Sequence, residues 1–381
     1  MVTRLSGFNN YLMLTTEFPP GPGGIGNHSY NLAKYLSINE IPVTVLAVSD
    51  FANEYEKNEF DKYQNFKIKR FERYSNRLKT YRERISLIKK TIRDEKFSHI
   101  IFSGRSSLMA MLLLKGLKGN TKFISIAHGG DINAENKFEK TLVNRALEMS
   151  DLIIPVSRFS GSKIDEKIDK KKIKVIPNGF DMDMSAHIEF LKDKRDKITG
   201  AVKLISVGTI WPRKGHHNVL ESLPEIIEDH PGTTYTIVGR NADTSLCDKY
   251  FADEKIKGSI NKAGQISNEK MYELLNDSDI FILLSETQSS GDFEGFGIAV
   301  IEANHFGLPA IGSFNSGLED SIKDGVSGIL VDPKNKEQIR KAIDTICNNY
   351  ESFSRGAKEW AEEHHWTVII KKYLNAIDNI N

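Results

Sequence analysis

The chain has 381 residues, 39% hydrophobic and 27% charged, with a formal net charge of +1. That length makes two domains the first expectation, each large enough to bury a core, and the balanced charge excludes a global attraction for nucleic acid. Cys247 and Cys347 lie far apart in unrelated contexts, which excludes a disulfide framework or a cysteine-based metal site and fits a reducing compartment. No secretion signal and no run of 18 apolar residues is read, so a cytoplasmic, non-spanning protein is expected.

In chain order, residues 11–16 (YLMLTT) predict a first buried strand, followed by the Gly- and Pro-rich stretch 19–26 (PPGPGGIG) and a helix over 27–39. Further apolar runs at 43–48, 100–102, 123–127 and 152–156 alternate with helical patterns, the signature of a parallel sheet covered on both faces. A short strand and turn are expected at 175–179 (VIPNG), then a polar linker over 181–200. A second series follows, with strands at 204–208, 235–239, 280–284, 309–312 and 328–331, and helices at 336–349 and 353–379. Two strand-to-glycine openings near the starts of the halves point to two similar doubly wound α/β domains.

Residues 67–93 break the charge balance, with eleven Lys or Arg against Glu72 and Glu83, interleaved with Phe71, Tyr74, Leu78, Tyr81, Ile85, Leu87, Ile88 and Ile92. The mixture suits an amphipathic segment on an anionic membrane or around a lipid-diphosphate acceptor, with Arg70, Arg73, Arg77, Lys79 and Arg82 as contacts. A solvated basic face is the competing reading.

Five features carry chemistry. Residues 21–26 match G-x-G-x-x-G, with Asp50 at the end of the second strand, as an NAD site would need; Pro19, Pro20 and Pro22 lengthen the turn and favour a loop that offers backbone N–H groups to another ligand. Asp181 and Asp183 form an Asp-x-Asp pair at a Pro-Asn-Gly turn, where a turn cap is expected in place of a metal site. Arg213 and Lys214 fall at an expected helix start near Lys214, where the helix dipole disfavours cations unless an anion such as a diphosphate is bound there. His128 ends a strand at the carboxyl edge of its sheet, where open α/β folds bind ligands. Finally, residues 294–302 (EGFGIAVIE) place Glu294 in a loop and Glu302 in an apolar helix, where a carboxylate without donors carries a desolvation cost of about 1 to 3 kcal/mol.

Taken together, the ordered set resembles the retaining nucleotide-sugar glycosyltransferases of family 4, whose fold is called GT-B. The set comprises the loop 23–26 (GGIG), His128, Val156-Ser157, the turn 177–181 (PNGFD), the run 207–215 (VGTIWPRKG), the E-x7-E spacing of Glu294 and Glu302, the run 317–319 (GLE) and the run 324–328 (DGVSG). The resemblance implies two Rossmann-like domains facing a central cleft: an acceptor domain over 1–182, a donor domain over 200–350, and a C-terminal helix within 351–381 that returns to the first domain. It implies that Glu302 accepts hydrogen bonds from the donor ribose and that Glu294 contacts the sugar being transferred. Arg213, Lys214 and the backbone N–H groups around Phe296, Gly297 and Ile298 would hold the diphosphate, Gly24 would approach it from the first domain, and His128 would contact the sugar. Thr209 stands where many relatives carry Arg, so the diphosphate would rest more heavily on Arg213 and Lys214.

The implied activity is transfer of a hexose from a UDP- or GDP-sugar to a hydroxyl of a glycan or lipid-linked saccharide in cell-surface polysaccharide synthesis, with no metal or other cofactor. Contact of 67–93 with the inner face of the cytoplasmic membrane fits such an acceptor. The alternatives are an NAD-dependent oxidoreductase built on residues 21–26 and a non-catalytic sugar-nucleotide-binding protein of the same fold.

Overall fold

A computed structural model of the chain describes residues 9–21, 23–48, 52–134, 136–182 and 197–380; Pro22, Asp50 and Asp183 lie outside the described residues. Twelve strands are present among them: β1 (Tyr11–Thr15), β2 (Val43–Val48), β3 (Lys67–Phe71), β4 (His99–Ser103), β5 (Lys122–Ala127), β6 (Leu152–Pro155), β7 (Lys203–Val207), β8 (Thr234–Val238), β9 (Ile260–Gly264), β10 (Ile280–Leu283), β11 (Ala310–Ser313) and β12 (Gly328–Val331). They form two six-stranded sheets, ordered β3-β2-β1-β4-β5-β6 and β12-β11-β10-β7-β8-β9, and every pairing is parallel.

Parallel strands are joined by crossover helices that cover both faces, so their central members are apolar on both sides. Leu12, Met13, Ile101, Phe102, Ile124 and Ile126 are all fully buried in the first sheet. In the second, Leu204, Ile282 and Ile311 face one core while Ile205, Phe281 and Leu283 face another, as the two-residue side-chain period requires. Side-chain caps start several covering helices: Asn76 accepts from the Lys79 amide, Ser267 from Lys270, and Asn335 from Gln338.

The chain divides into two units. The first contains residues 1–156, 160–178 and 366–381, and the second 157–159 and 179–365. The C-terminal region expected as one helix over 353–379 is two, Tyr350–Glu362 and Trp366–Asp378, and the change of unit falls at Trp366. At the break the chain bonds sideways: the Phe180 amide donates to the His364 carbonyl at 3.1 Å, which removes that carbonyl from a continuing helix. In the first unit, buried Trp366 stacks on Tyr35 (centroids 6.0 Å) and Tyr373 (6.1 Å), seating the final helix on helix Gly24–Ile38.

Three further expectations are corrected. Residues 67–71, read as part of an amphipathic segment, form edge strand β3, and helix Arg77–Asp94 follows it. Strand β9 was not foreseen. Residues 175–179 are not a strand; the chain beside β6 makes only an isolated bridge from Ile173 to Ile153, with the Lys174 amide on Ile153 O and the Ile176 amide on Pro155 O. Of the expected linker, residues 183–196 lie outside the described residues.

Candidate functional site

Both sheets reverse their winding between two neighbouring strands, and the loops beyond the carboxyl ends of those strands form the crevice where open α/β sheets bind ligands. In the second unit these strands are β7 and β10. The loop after β7 passes through Trp211 and a single turn of tight helix, Pro212–Lys214, before helix His216–Asp229 begins. The helix therefore starts at His216, not near Lys214. Pro212 opens the tight turn and Gly215 closes it with φ 67°; a Cβ there would sit 1.7 Å from the Leu284 carbonyl oxygen, so only glycine lets this loop close onto the end of β10.

That closure brings Arg213 and Lys214 onto Glu294. Arg213 donates from Nη1 to Glu294 Oε2 at 2.7 Å, and Lys214 Nζ donates to the same oxygen at 2.6 Å. Arg213 Nε also donates to Asp292 at 3.0 Å, a partner that sequence reasoning did not single out. Glu294 is buried, which pushes its carboxyl pKa up, but Lys214 and Arg213 hold it down at about 2. The Gly317 amide donates to the Glu294 carbonyl at 2.8 Å, fixing the loop from a third direction.

Helix Ile298–His305 follows directly. Gly297 caps it with φ 86°, no side chain satisfies its first amides, and Phe296 is buried against His364 (centroids 5.8 Å). A helix start of this kind offers N–H groups to an anion. Glu302 lies half-buried between Ile301 and Ala303, which are fully buried. Among the described residues no donor or cation pairs with it, and burial alone pushes its carboxyl pKa up to about 7. Two carboxylates eight positions apart thus sit in opposite states, one doubly paired with cations and one without a partner.

The first unit presents a different site. Its winding reverses between β1 and β4, and His128 follows the adjacent β5. The His128 and Gly129 amides donate to the Asp131 carboxylate at 3.0 and 2.7 Å, and His128 Nε2 lies 2.9 Å from Ser103 Oγ. The His28 ring meets His128 edge-on at 4.8 Å. Gly24 opens helix Gly24–Ile38, and a side chain there would meet open space.

The basic segment splits. Arg70 is committed to Asp61 (2.6 Å) and to the Pro19 carbonyl (2.7 Å), and Lys67 and Lys69 pair with Glu95 at 2.7 and 3.1 Å. Arg73 is exposed on the link to the helix. Arg77, Lys79 and Arg82 are exposed near the start of helix Arg77–Asp94, where Leu78 and Tyr81 are 76% and 57% exposed. Among the described residues no group of three or more His, Cys, Asp or Glu is arranged to hold a metal, and no helix is long and apolar enough to cross a membrane.

Comparison with known proteins gives consistent matches. Residues 22–184 match the model described as Glycosyltransferase Family 4, and residues 187–362 the model described as Glycosyl transferases group 1. The amylovoran biosynthesis glycosyltransferase AmsK of Erwinia amylovora is 28% identical over 60% of this chain, which spans 55% of that relative's length. A GDP-mannose-dependent monoacylated phosphatidylinositol monomannoside mannosyltransferase of Corynebacterium glutamicum is 21% identical over 98% of this chain and 99% of its own. In fold, the solved structure of Anabaena HepE with UDP and glucose superposes with a TM-score of 0.73 at 17% identity, covering 96% of this chain and 99% of that one. TarM superposes with a TM-score of 0.76 at 14% identity over 98% and 99% of the two chains.

Proposed function

The chain belongs to the family 4 type of GT-B glycosyltransferases, and from that premise we propose that it transfers a hexose from a UDP- or GDP-sugar to a hydroxyl of a glycan or lipid-linked saccharide, with retention of anomeric configuration. The oxidoreductase and non-catalytic alternatives fall away with that membership.

The observation that carries the donor assignment is Glu302, a half-buried carboxylate without a partner among the described residues. Such a group is costly to the free protein and is repaired by a ligand bearing hydroxyl donors, as a nucleotide ribose does. Arg213 and Lys214 are proposed to grip the diphosphate, Arg as a fork and Lys as a point charge, with help from the amides around Phe296, Gly297 and Ile298. Glu294 holds those cations in place and is proposed to read hydroxyls of the transferred sugar. In the first unit, His128 is proposed to contact a sugar hydroxyl and Gly24 a phosphate oxygen.

The chemical barrier is departure of the diphosphate while positive charge grows at the anomeric carbon. Fixed cations beside the departing oxygens stabilise that charge separation more than they stabilise the bound donor, which is the condition for a gain in rate. In the proposed scheme Arg213 and Lys214 supply this charge without a metal. The acceptor attacks from the face that the diphosphate leaves, a phosphate oxygen takes the acceptor proton, and no covalent sugar-enzyme bond forms. The relatives named for amylovoran biosynthesis and for mannosyl transfer to a phosphatidylinositol monomannoside support a membrane-borne or glycan acceptor. Peripheral contact of the basic helix with the inner membrane face completes the proposal.

The test is a panel of UDP- and GDP-sugars, with release of nucleoside diphosphate and calorimetric binding as readouts. Binding and slow hydrolysis with one nucleotide class are expected. Neither binding nor turnover with any member of the panel would overturn the donor assignment.

A further inference from the structure

Behind His128 runs a chain of three buried hydroxyls contributed by three elements. Thr15 Oγ1, at the end of β1, lies 2.7 Å from the Glu17 carbonyl oxygen and 3.0 Å from Ser29 Oγ on helix Gly24–Ile38. Ser29 Oγ lies 2.9 Å from Ser103 Oγ at the end of β4, and Ser103 Oγ lies 2.9 Å from His128 Nε2. Thr15, Ser29 and Ser103 are each at most 2% exposed.

Each hydroxyl has one proton to give. A carbonyl oxygen only accepts, so Thr15 gives its proton to Glu17 and accepts from Ser29. Ser29 has then used its proton and accepts from Ser103, which in turn has none left for the imidazole. The last link closes only if Nε2 of His128 carries a proton. We propose that this one-way chain locks His128 in the Nε2–H tautomer, leaving Nδ1 as a bare acceptor that takes a hydrogen bond from a ligand hydroxyl, with Thr15, Ser29 and Ser103 as its positioning residues.

Three further observations agree. Burial holds the His128 pKa below its usual value, against the opposing pull of Asp131, so the ring is neutral near pH 7 and its two nitrogens differ. Among the described residues nothing bonds to His128 Nδ1, and the residue is partly exposed. The backbone is fixed as well, since Asp131 accepts from the His128 and Gly129 amides. An imidazole held in this way discriminates: it accepts from a hydroxyl and offers nothing to a phosphate oxygen at Nδ1. The identity of that hydroxyl as a sugar hydroxyl rests on the glycosyl-transfer reading above; the tautomer does not.

The test is a long-range proton–nitrogen correlation spectrum of the ligand-free full chain labelled with nitrogen-15 histidine, the His128 signals being assigned with His128→Asn. The expected pattern has a protonated Nε2 and an unprotonated Nδ1. Ser103→Ala should collapse it to the averaged pattern of a mobile imidazole, and Ser103→Thr, which keeps a hydroxyl, should restore it. In turnover with the nucleotide sugar identified by the panel, Ser103→Ala should lower kcat by about fivefold to tenfold, the worth of one neutral hydrogen bond, with donor KM changed less than twofold. A proton on Nδ1 in the unmodified protein, or a His128 pattern indifferent to Ser103→Ala, overturns the lock. The expected spectra with no turnover of any nucleotide sugar would uphold the lock and remove the glycosyl-transfer role instead. Should Ser103→Ala not fold, the unmodified spectrum together with Ser29→Ala decides the matter.

Discussion

The two units share one strand order: both sheets are wound outward from a central pair, β1 with β4 and β7 with β10. At that equivalent place they carry opposite chemistry. The second unit gathers full charges, Arg213 and Lys214 on Glu294 with Asp292 beside them, and leaves Glu302 unpaired among the described residues. The first gathers neutral groups, three hydroxyls in series ending on an imidazole whose pKa burial keeps low. The same topology thus serves charge stabilisation in one unit and directional hydrogen bonding in the other. Charge acts strongly and over distance when water is excluded, whereas a neutral hydrogen bond acts weakly but fixes orientation.

The largest test of this contrast is Lys214→Ala. Removing one fixed donor from a developing anion typically costs a hundredfold to a thousandfold in rate, so kcat should fall by about that much, against about fivefold to tenfold for Ser103→Ala. The measurement is steady-state release of nucleoside diphosphate by both variants under saturating donor. Equal losses would mean that the charged and neutral sites do not differ in the way the geometry indicates.

The next test sets the two glutamates of the second unit against each other. The Glu302 carboxyl stands at about 7 in the free protein, above the ordinary 4.5. It must be ionised to accept fully from ribose, so donor affinity should rise with pH and be about tenfold weaker at pH 6 than at pH 8. Glu302→Gln should abolish that pH dependence. The sign for stability runs the other way. A folded pKa above the unfolded one means that the folded state binds more protons between about 4.5 and 7, so Glu302 lowers stability as pH rises through that window. Glu302→Gln should therefore stabilise the ligand-free protein at pH 8, by about 1 to 3 kcal/mol. Glu294, held at about 2, contributes stability that is complete above 4.5 and is lost as pH falls from there towards 2. Glu294→Gln should accordingly destabilise at pH 8. Urea midpoints at pH 5 and pH 8 check both signs.

Much of this was legible in the sequence because central parallel strands are continuous apolar runs and because the spacing of Glu294 and Glu302 survives in one dimension. What escaped is explained by position. Strands β3 and β9 are sheet edges, and their sequences KIKRF and INKAG carry the polar residues that an edge tolerates, so neither resembles a buried run. The break before Trp366 has no Gly or Pro to announce it, only His364 and His365, and comes from the bond between the Phe180 amide and His364. Arg213 and Lys214 could be marked as cations wanting an anion, but their grip on Glu294 follows from β7 lying beside β10, which no local pattern records. The hydroxyls behind His128 are three ordinary residues on separate elements, and only their distances make them a chain.

The smallest expected effect concerns the exposed cations Arg77, Lys79 and Arg82 of the first unit, which pair with no carboxylate among the described residues. Lys67, Lys69 and Arg70 are tied to Glu95 and Asp61, so the excess of positive charge in 67–93 does not all face outward. What remains at the start of helix Arg77–Asp94 is Arg77, Lys79 and Arg82 around exposed Leu78 and Tyr81. A basic residue near an anionic surface is worth about 1 kcal/mol, and salt screens it, so Arg82→Ala should weaken sedimentation with phosphatidylglycerol-containing vesicles by no more than about fivefold. The same substitution should leave binding to neutral phosphatidylcholine vesicles and donor hydrolysis unchanged. Arg70→Ala, by contrast, should lower the thermal midpoint while altering vesicle binding less, because Arg70 is spent on Asp61 and the Pro19 carbonyl. If Arg82→Ala has no effect at low salt while Arg70→Ala releases the protein from vesicles, the exposed helix face is not the part of 67–93 that meets the membrane, and the basic strand β3 takes its place.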